Sequence, residues 1–323
     1  MKTIFSAMIC LSLMMGCAGI NQAGATDFKT ERVSVGTGTN PLNVALLKAA
    51  EQGDEMAVKY LLQRGANVDS QNFKGWTPLI FAGLAGNKRI VHALIEKGAD
   101  VNRKSSTVEG STALCFAVEG GSLEAMKDLL DHGANVNGKS TNGMTPLGYA
   151  AIHGKTEVAK FLIANGADVN LLGIIDSRGA EWSPLTSAAS VEDLDMLALL
   201  LNNGADLEAK NNEGDTALMI TAKGTLSKSV KFLISKGADV NAKGPRGHTA
   251  LIYAAYNGKR ENLKLLLSSG ADPFVTATDS NDPRAWRYGA ADLAQQQGHA
   301  EVLAMIREAQ TNQRLTTGRS LKQ

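Results

Sequence analysis

Apolar residues return along the chain in short helical clusters separated by polar turns. In VKYLLQRGA (58–66), VAKFLIANGA (158–167) and VKFLISKGA (230–238) they keep to one side; Val158, Phe161, Leu162 and Ile163 share a face and Lys160 lies opposite. This 3.6-residue spacing predicts an amphipathic helix that ends at the glycine. A shorter apolar cluster precedes most copies: WTPLIFA (76–82), STALCFA (111–117), MTPLGYA (144–150), WSPLTSA (182–188), DTALMIT (215–221) and HTALIYA (248–254). Thr77, Thr145 or Ser183 offers a hydroxyl N-cap there, and Pro78, Pro146 or Pro184 stands at the first helical position, where proline loses no hydrogen bond. These first helices should close near Gly86, Gly121, Gly154 and Gly258, since glycine takes the left-handed conformation at little cost. Helix pairs this short leave an apolar face uncovered, so copies must stack.

The triplet Gly-Ala-Asp or Gly-Ala-Asn sets the period. Its glycines are Gly65, Gly98, Gly133, Gly166, Gly204, Gly237 and Gly270, separated by 33, 35, 33, 38, 33 and 33 residues. With the Thr-Pro-Leu opening, this resembles the ankyrin repeat, from Pro41 to Gln310, with degenerate first (PLNVALLKAAEQGD) and last (YGAADLAQQQGH) copies. The resemblance implies an all-α ankyrin-repeat solenoid of about eight helix–turn–helix units joined by hairpin-like fingers. Segments such as DVNAKGPRG, rich in turn-forming residues, would be those fingers. The units are expected at about 41–75, 76–110, 111–143, 144–181, 182–214, 215–247, 248–287 and 288–310.

Departures from the period mark loops. Two extra residues lengthen the finger around Arg103 to Gly110, five lie in LLGIIDSRGAEW (171–182), and seven in PFVTATDSNDPRAWRY (273–288). Insertions in repeat arrays map to surface loops, often on the binding side. Repeats five and six carry Glu192 and Thr225 where the others have the mid-unit glycine, so their first helices should end differently.

The ends of the chain read otherwise. Lys2 followed by an apolar run from Ile4 to Met15 has the form of a secretory signal peptide, too short to span a bilayer comfortably. Ala23-Gly24-Ala25 suits cleavage that releases a chain starting at Thr26, making 1–25 the signal and 26–40 a flexible linker. Leu13-Met14-Met15-Gly16-Cys17 also resembles a bacterial lipobox, which would remove 1–16 and lipidate Cys17. Both routes place the mature chain outside the cytoplasm, in a bacterial periplasm or membrane-attached as a lipoprotein. The polar stretch 311–323 is expected to be a disordered tail.

Composition narrows the function. With 33 basic and 32 acidic residues the formal charge is +1, which disfavours a nucleic-acid role and leaves membrane contact to an N-terminal lipid. Aromatic residues make up 5%, so the core must be aliphatic. Cys115 sits in apolar ALCFAV with no basic neighbour and reads as a core residue. His92, His132, His153, His248 and His299 come one to a unit without a second ligand at helical spacing. Asp100, Asp168, Asp206, Asp239 and Asp272 share one repeat-end slot and should be spread along the stack. No catalytic residue, metal or cofactor is expected.

Protein binding is what the resemblance implies. In the ankyrin fold two positions per repeat line the concave face. Here the first column is Asn43, Trp76, Ser111, Met144, Trp182, Asp215, His248 and Tyr288, and the second is Glu51, Leu84, Glu119, Ile152, Ser190, Lys223, Tyr256 and Gln296. Large apolar side chains at exposed slots suit interface anchors. Trp76, Leu84, Met144, Ile152, Trp182 and Tyr256 are therefore expected to bind a protein partner, with Trp286 in the last insertion as a further anchor. The reading is a monomeric, non-catalytic interaction scaffold of the cell envelope. Its alternatives are a lipid-anchored structural protein, or an inhibitor or stabiliser of a periplasmic enzyme or toxin.

Overall fold

A computed structural model describes residues 40–106, 110–141, 143–175, 181–278 and 287–320, with the backbone alone at 174–175 and 317–320. The signal, the lipobox with Cys17, and Trp286 lie outside the described residues. The chain divides into two compact units, between Pro184 and Leu185.

In the N-terminal unit, four helix pairs follow one another: α1 (Pro41–Gln52) with α2 (Glu55–Gln63), α3 (Pro78–Leu84) with α4 (Lys88–Glu96), α5 (Ala113–Gly120) with α6 (Leu123–Asp131), and α7 (Pro146–Ile152) with α8 (Thr156–Ala164). A short hairpin of β1 (Ile174–Ile175) and β2 (Glu181–Trp182) ends it. Four pairs also make up the C-terminal unit: α9 (Pro184–Ser190) with α10 (Leu194–Asn202), α11 (Ala217–Ala222) with α12 (Ser227–Ser235), α13 (Ala250–Tyr256) with α14 (Arg260–Ser268), and α15 (Ala290–Gln296) with α16 (Ala300–Ser320). Between α14 and α15 stands the antiparallel pair β3 (Thr276–Thr278) and β4 (Arg287–Gly289), Ala277 opposite Tyr288. Part of each of the two larger insertions is thus a paired ladder.

Thr77, Thr145, Thr216 and Thr249 each cap the first helix of their repeat. Thr77 Oγ1 accepts the Ile80 N–H at 3.2 Å and Thr145 Oγ1 the Gly148 N–H at 3.0 Å. Thr112 is the exception, giving its hydroxyl proton to Cys115 Sγ at 3.7 Å instead. Within a unit, first helix stacks on first helix and second on second. Helix α3 packs tightly on α5, where a Cβ on Gly120 would stand 2.3 Å from the Leu84 carbonyl oxygen. Leu79, Leu94, Leu114, Leu129, Leu147 and Leu162 are fully buried in the N-terminal unit, and Met196 and Leu197 in the C-terminal one.

The fingers are tied to their neighbours by a side-chain ladder. Asn102 Nδ2 donates to the Gly133 carbonyl (2.9 Å) while its Oδ1 accepts the Asn135 N–H (2.9 Å). Asn137 repeats this with Gly166 and Asp168, and Asn241 with Gly270 and Asp272. The repeat-end carboxylates of Asp100, Asp168, Asp206, Asp239 and Asp272 each accept a backbone N–H two residues on, closing an Asx turn.

Repeats five and six do close differently. Glu192 itself takes the left-handed conformation (φ 57°), and its Oε1 accepts the Lys228 N–H at the start of α12 (2.9 Å). At the end of α11 the buried Asn262 of α14 collects carbonyls, donating to Gly224 O at 2.8 Å and Thr221 O at 3.3 Å. The tail expectation is overturned from 311 to 320, because α16 runs on to Ser320. Gln310 Nε2 donates to the Pro273 carbonyl at 2.9 Å, and the Arg314 guanidinium lies 5.2 Å from the Phe274 ring. These contacts hold the added turns against the preceding finger. No helix among the described residues is long and apolar enough to cross a membrane.

Candidate functional site

The two tryptophans expected on an exposed face are buried instead. Trp76 keeps 9% of its surface and Trp182 2%. Trp76 packs between Phe81 of its own repeat (centroids 5.3 Å apart) and Phe116 of the next (4.9 Å), and its backbone N–H donates to Asn72 Oδ1 at 2.9 Å. Trp182 pairs with Ile174 at the root of its hairpin. A ring that follows directly on a finger is wide enough to fill the corner between finger and helix, so burial there gains more than exposure.

Of the column positions in the N-terminal unit, Leu84, Met144 and Ile152 are half-buried apolar side chains that stand among the polar Asn43, Glu51, Ser111 and Glu119. Beside Ile152 the Tyr149 ring lies 4.3 Å from the His153 ring. Burial, with Lys155 adding to it, holds the His153 imidazole below its ordinary value of 6.5.

The inner face of the C-terminal unit is polar and pre-ordered. Asp215, fully buried, ion-pairs through Oδ2 with Lys223 Nζ at 2.5 Å and accepts the Tyr253 hydroxyl on Oδ1 at 2.9 Å. Lys223 Nζ also stands 4.2 Å from the centre of the Tyr253 ring. Burial first, and Asp215 second, push the Tyr253 phenol well above its usual range, so it acts as a hydrogen-bond donor. His248 stacks on Tyr253 (5.2 Å, 14°), donates from Nδ1 to the Pro245 carbonyl (2.8 Å), and accepts the Tyr288 hydroxyl on Nε2 (3.1 Å). Next to this network Tyr256 is 46% exposed. Asp215, Lys223, His248 and Tyr288 are column positions in the sequence, but Tyr253 is not, and only the fold brings all five together.

Histidines expected to stand alone also meet. His92 Nδ1 lies 3.3 Å from Asp128 Oδ2, and His132 Nδ1 lies 3.5 Å from Asp128 Oδ1, where α4 and α6 pack side by side. His132 is committed to its own helix end, 2.8 Å from the Asp128 carbonyl, and among the described residues no three His, Cys, Asp or Glu side chains are arranged to hold a metal. Cys115 is buried, and burial raises its thiol pKa.

Family comparison agrees with this architecture. A model described as ankyrin repeats (3 copies) matches residues 31–105, 103–172 and 185–277, and one described as ankyrin repeats (many copies) matches 149–199. The chain belongs to the ankyrin-repeat family. Among solved structures, the human ASB11 ankyrin repeat domain matches 73% of this chain and 100% of its own at 27% identity and TM-score 0.60. The ankyrin repeat domain of Bcl-3, a member of the IkappaB protein family, matches 71% and 98% at 28% identity and the same TM-score.

Curated ankyrin-repeat relatives are longer, composite proteins. "Ankyrin repeat, SAM and basic leucine zipper domain-containing protein 1" of Mus musculus is 34% identical over 79 residues, 24% of this chain and 17% of the relative. The Dasypus novemcinctus protein of the same name is 29% identical over 149 residues, 46% and 31%. The 2-5A-dependent ribonuclease of Mus musculus is 41% identical over 61 residues, 19% and 8%. The chain thus spans well under two thirds of these relatives. Ankyrin repeats as a class mediate protein–protein interaction.

Proposed function

We propose that this chain is a non-catalytic protein–protein interaction scaffold of the bacterial cell envelope, docking a partner protein on the inner faces of its repeats. The observation that carries this reading is the set of large side chains left accessible there: Leu84, Met144 and Ile152, half-buried in the N-terminal unit, and Tyr256, 46% exposed in the C-terminal one. Family membership supports binding as the activity, and the apolar N-terminal run of the sequence supports export. Whether the partner is an enzyme or toxin that the scaffold inhibits or stabilises, or a structural element of the envelope, follows from what is captured.

The test is capture from periplasmic extract with purified protein on a support. The parent should retain a discrete protein, and Leu84→Ser/Ile152→Ser or Tyr256→Ala should retain several-fold less with unchanged circular dichroism. Equal retention by both variants would exclude the inner faces. Trp76 and Trp182 are unsuitable probes, because truncating a buried ring damages the fold.

A further inference from the structure

Within a unit, the second residue of a second helix faces the repeat before it. Arg89 Nη1 of α4 lies 3.6 Å from Oε2 of Glu55, the first residue of α2, and Glu301 Oε2 of α16 stands 3.3 Å from Arg260 Nη1 of α14. The sixth residue faces the same way, since Asp128 Oδ2 of α6 meets His92 Nδ1 of α4 at 3.3 Å. In α2 these two places are held by Met56 and Tyr60, and among the described residues no repeat precedes them. Both side chains therefore stand on the open N-terminal end of the stack.

Their chemistry is wrong for a face left in water. The second place is charged in every other second helix, from Arg89 and Glu124 to Lys228 and Glu301, and Met56 alone is apolar. Met56 is 82% exposed and Tyr60 58%, whereas Phe161 and Phe232, at the sixth place of α8 and α12, are half-buried. A terminal repeat ordinarily turns a polar face outward, because no further repeat covers it.

The chain itself supplies a cover of the right length and polarity. Residues 26–39 (TDFKTERVSVGTGT), outside the described residues, run into Asn40, which caps α1. The start of α1 lies beside the end of α2, where Asn43 Oδ1 accepts the Asn67 N–H at 2.8 Å. Met56 is then about 16 Å from where the segment joins, about 10 Å across packed helices and about 12 Å along α2. Extended chain from Val33 to Asn40 reaches about 23 Å. Val33 and Val35 flank Ser34, so an extended segment turns both valines to one side. The match to the ankyrin-repeat model also begins ahead of α1, at residue 31.

We propose that the open end of the first repeat is a docking surface for the chain's own segment 28–35, with Val33 and Val35 seated on Met56 and Tyr60. This goes beyond the inner-face reading, and it turns part of the expected linker into a cap on the stack. The tethered segment is favoured over a second copy of the chain, because its effective concentration is set by the tether and does not fall on dilution.

The experiment is oxidation of the full chain by hydrogen peroxide, with the sulfoxide at Met56 followed by peptide mass spectrometry. Met56 should oxidise several-fold more slowly in the parent than in Phe28→Ser/Val33→Ser/Val35→Ser, while Val33→Leu/Val35→Leu should keep the protection. Met144, in the fourth repeat, should oxidise alike in all three. The reciprocal measurement is trypsin cleavage after Arg32, which should be several-fold faster in Met56→Glu/Tyr60→Ser than in the parent. Equal Met56 rates in the parent and the serine variant overturn the proposal, as do equal cleavage rates. Protection of Met56 that vanishes on about tenfold dilution also overturns it, since the cover would then be a second copy. Failure here leaves the inner-face reading standing, since that is read by capture with the Leu84, Ile152 and Tyr256 variants.

Discussion

Asn137 shows how much one side chain does in a stacked repeat. Its amide donates to Gly166 and accepts from Asp168, so it holds one finger to the next while costing its own turn nothing. Asn137→Ala should lower stability by about 1–2 kcal/mol, read as a shift of the denaturant midpoint with unchanged slope. Asp215 is held more tightly: Asp215→Asn leaves Lys223 without its counter-charge and should cost about 3 kcal/mol, whereas Asp215→Leu/Lys223→Met should cost much less. Comparable losses in both variants would mean that the pair is favourable in itself. His153 makes a pH prediction. Because its folded pKa is depressed, stability is unaffected above the ordinary value of 6.5 and falls as pH drops below it, where the unfolded chain takes up the proton first. His153→Gln should flatten that acid-side fall in thermal melts at stepped pH.

At the scale of the element, the helices that precede α16, of 6 to 12 residues, are too short to persist alone, and stability comes from the neighbour. Helix α8 has nine residues, and Leu162 in its last turn is fully buried. Leu162→Ala should destabilise by about 2–5 kcal/mol, the range for a large-to-small change with a residual cavity. An unchanged melting temperature would contradict the stacked packing. The glycine closing a first helix is replaceable in two ways: Glu192 takes the left-handed conformation itself, and after α11 Asn262 of the next repeat donates to the free carbonyls. The C-terminal helix follows the same rule, since Gln310 and Arg314 gain partners on the preceding finger that local sequence does not announce.

At the scale of the molecule, the column positions of the two units differ: Leu84, Met144 and Ile152 stand among polar residues in the N-terminal unit, and a closed polar network lies beside Tyr256 in the C-terminal one. The proposal of an exported scaffold adds a prediction at this scale: intact mass of the protein recovered from the envelope fraction should correspond to a chain beginning at Thr26, or to one acylated at Cys17. A mass that retains Met1 would refute export by either route. The repeat, its period, the helix starts and the places of insertion were legible in the sequence, because caps, prolines, glycines and a 3.6-residue apolar period act within a few residues. The accessible side chains were legible only in part: Leu84, Met144, Ile152 and Tyr256 keep some exposure, whereas Trp76 and Trp182 do not. Their burial depends on finger and helix meeting at a corner, which no local pattern encodes. The asparagine ladder, the meeting of His92 with Asp128, and the joining of Tyr253 to Asp215 connect residues more than 25 positions apart. Such pairings exist only once successive repeats have stacked, so tertiary structure alone decided them.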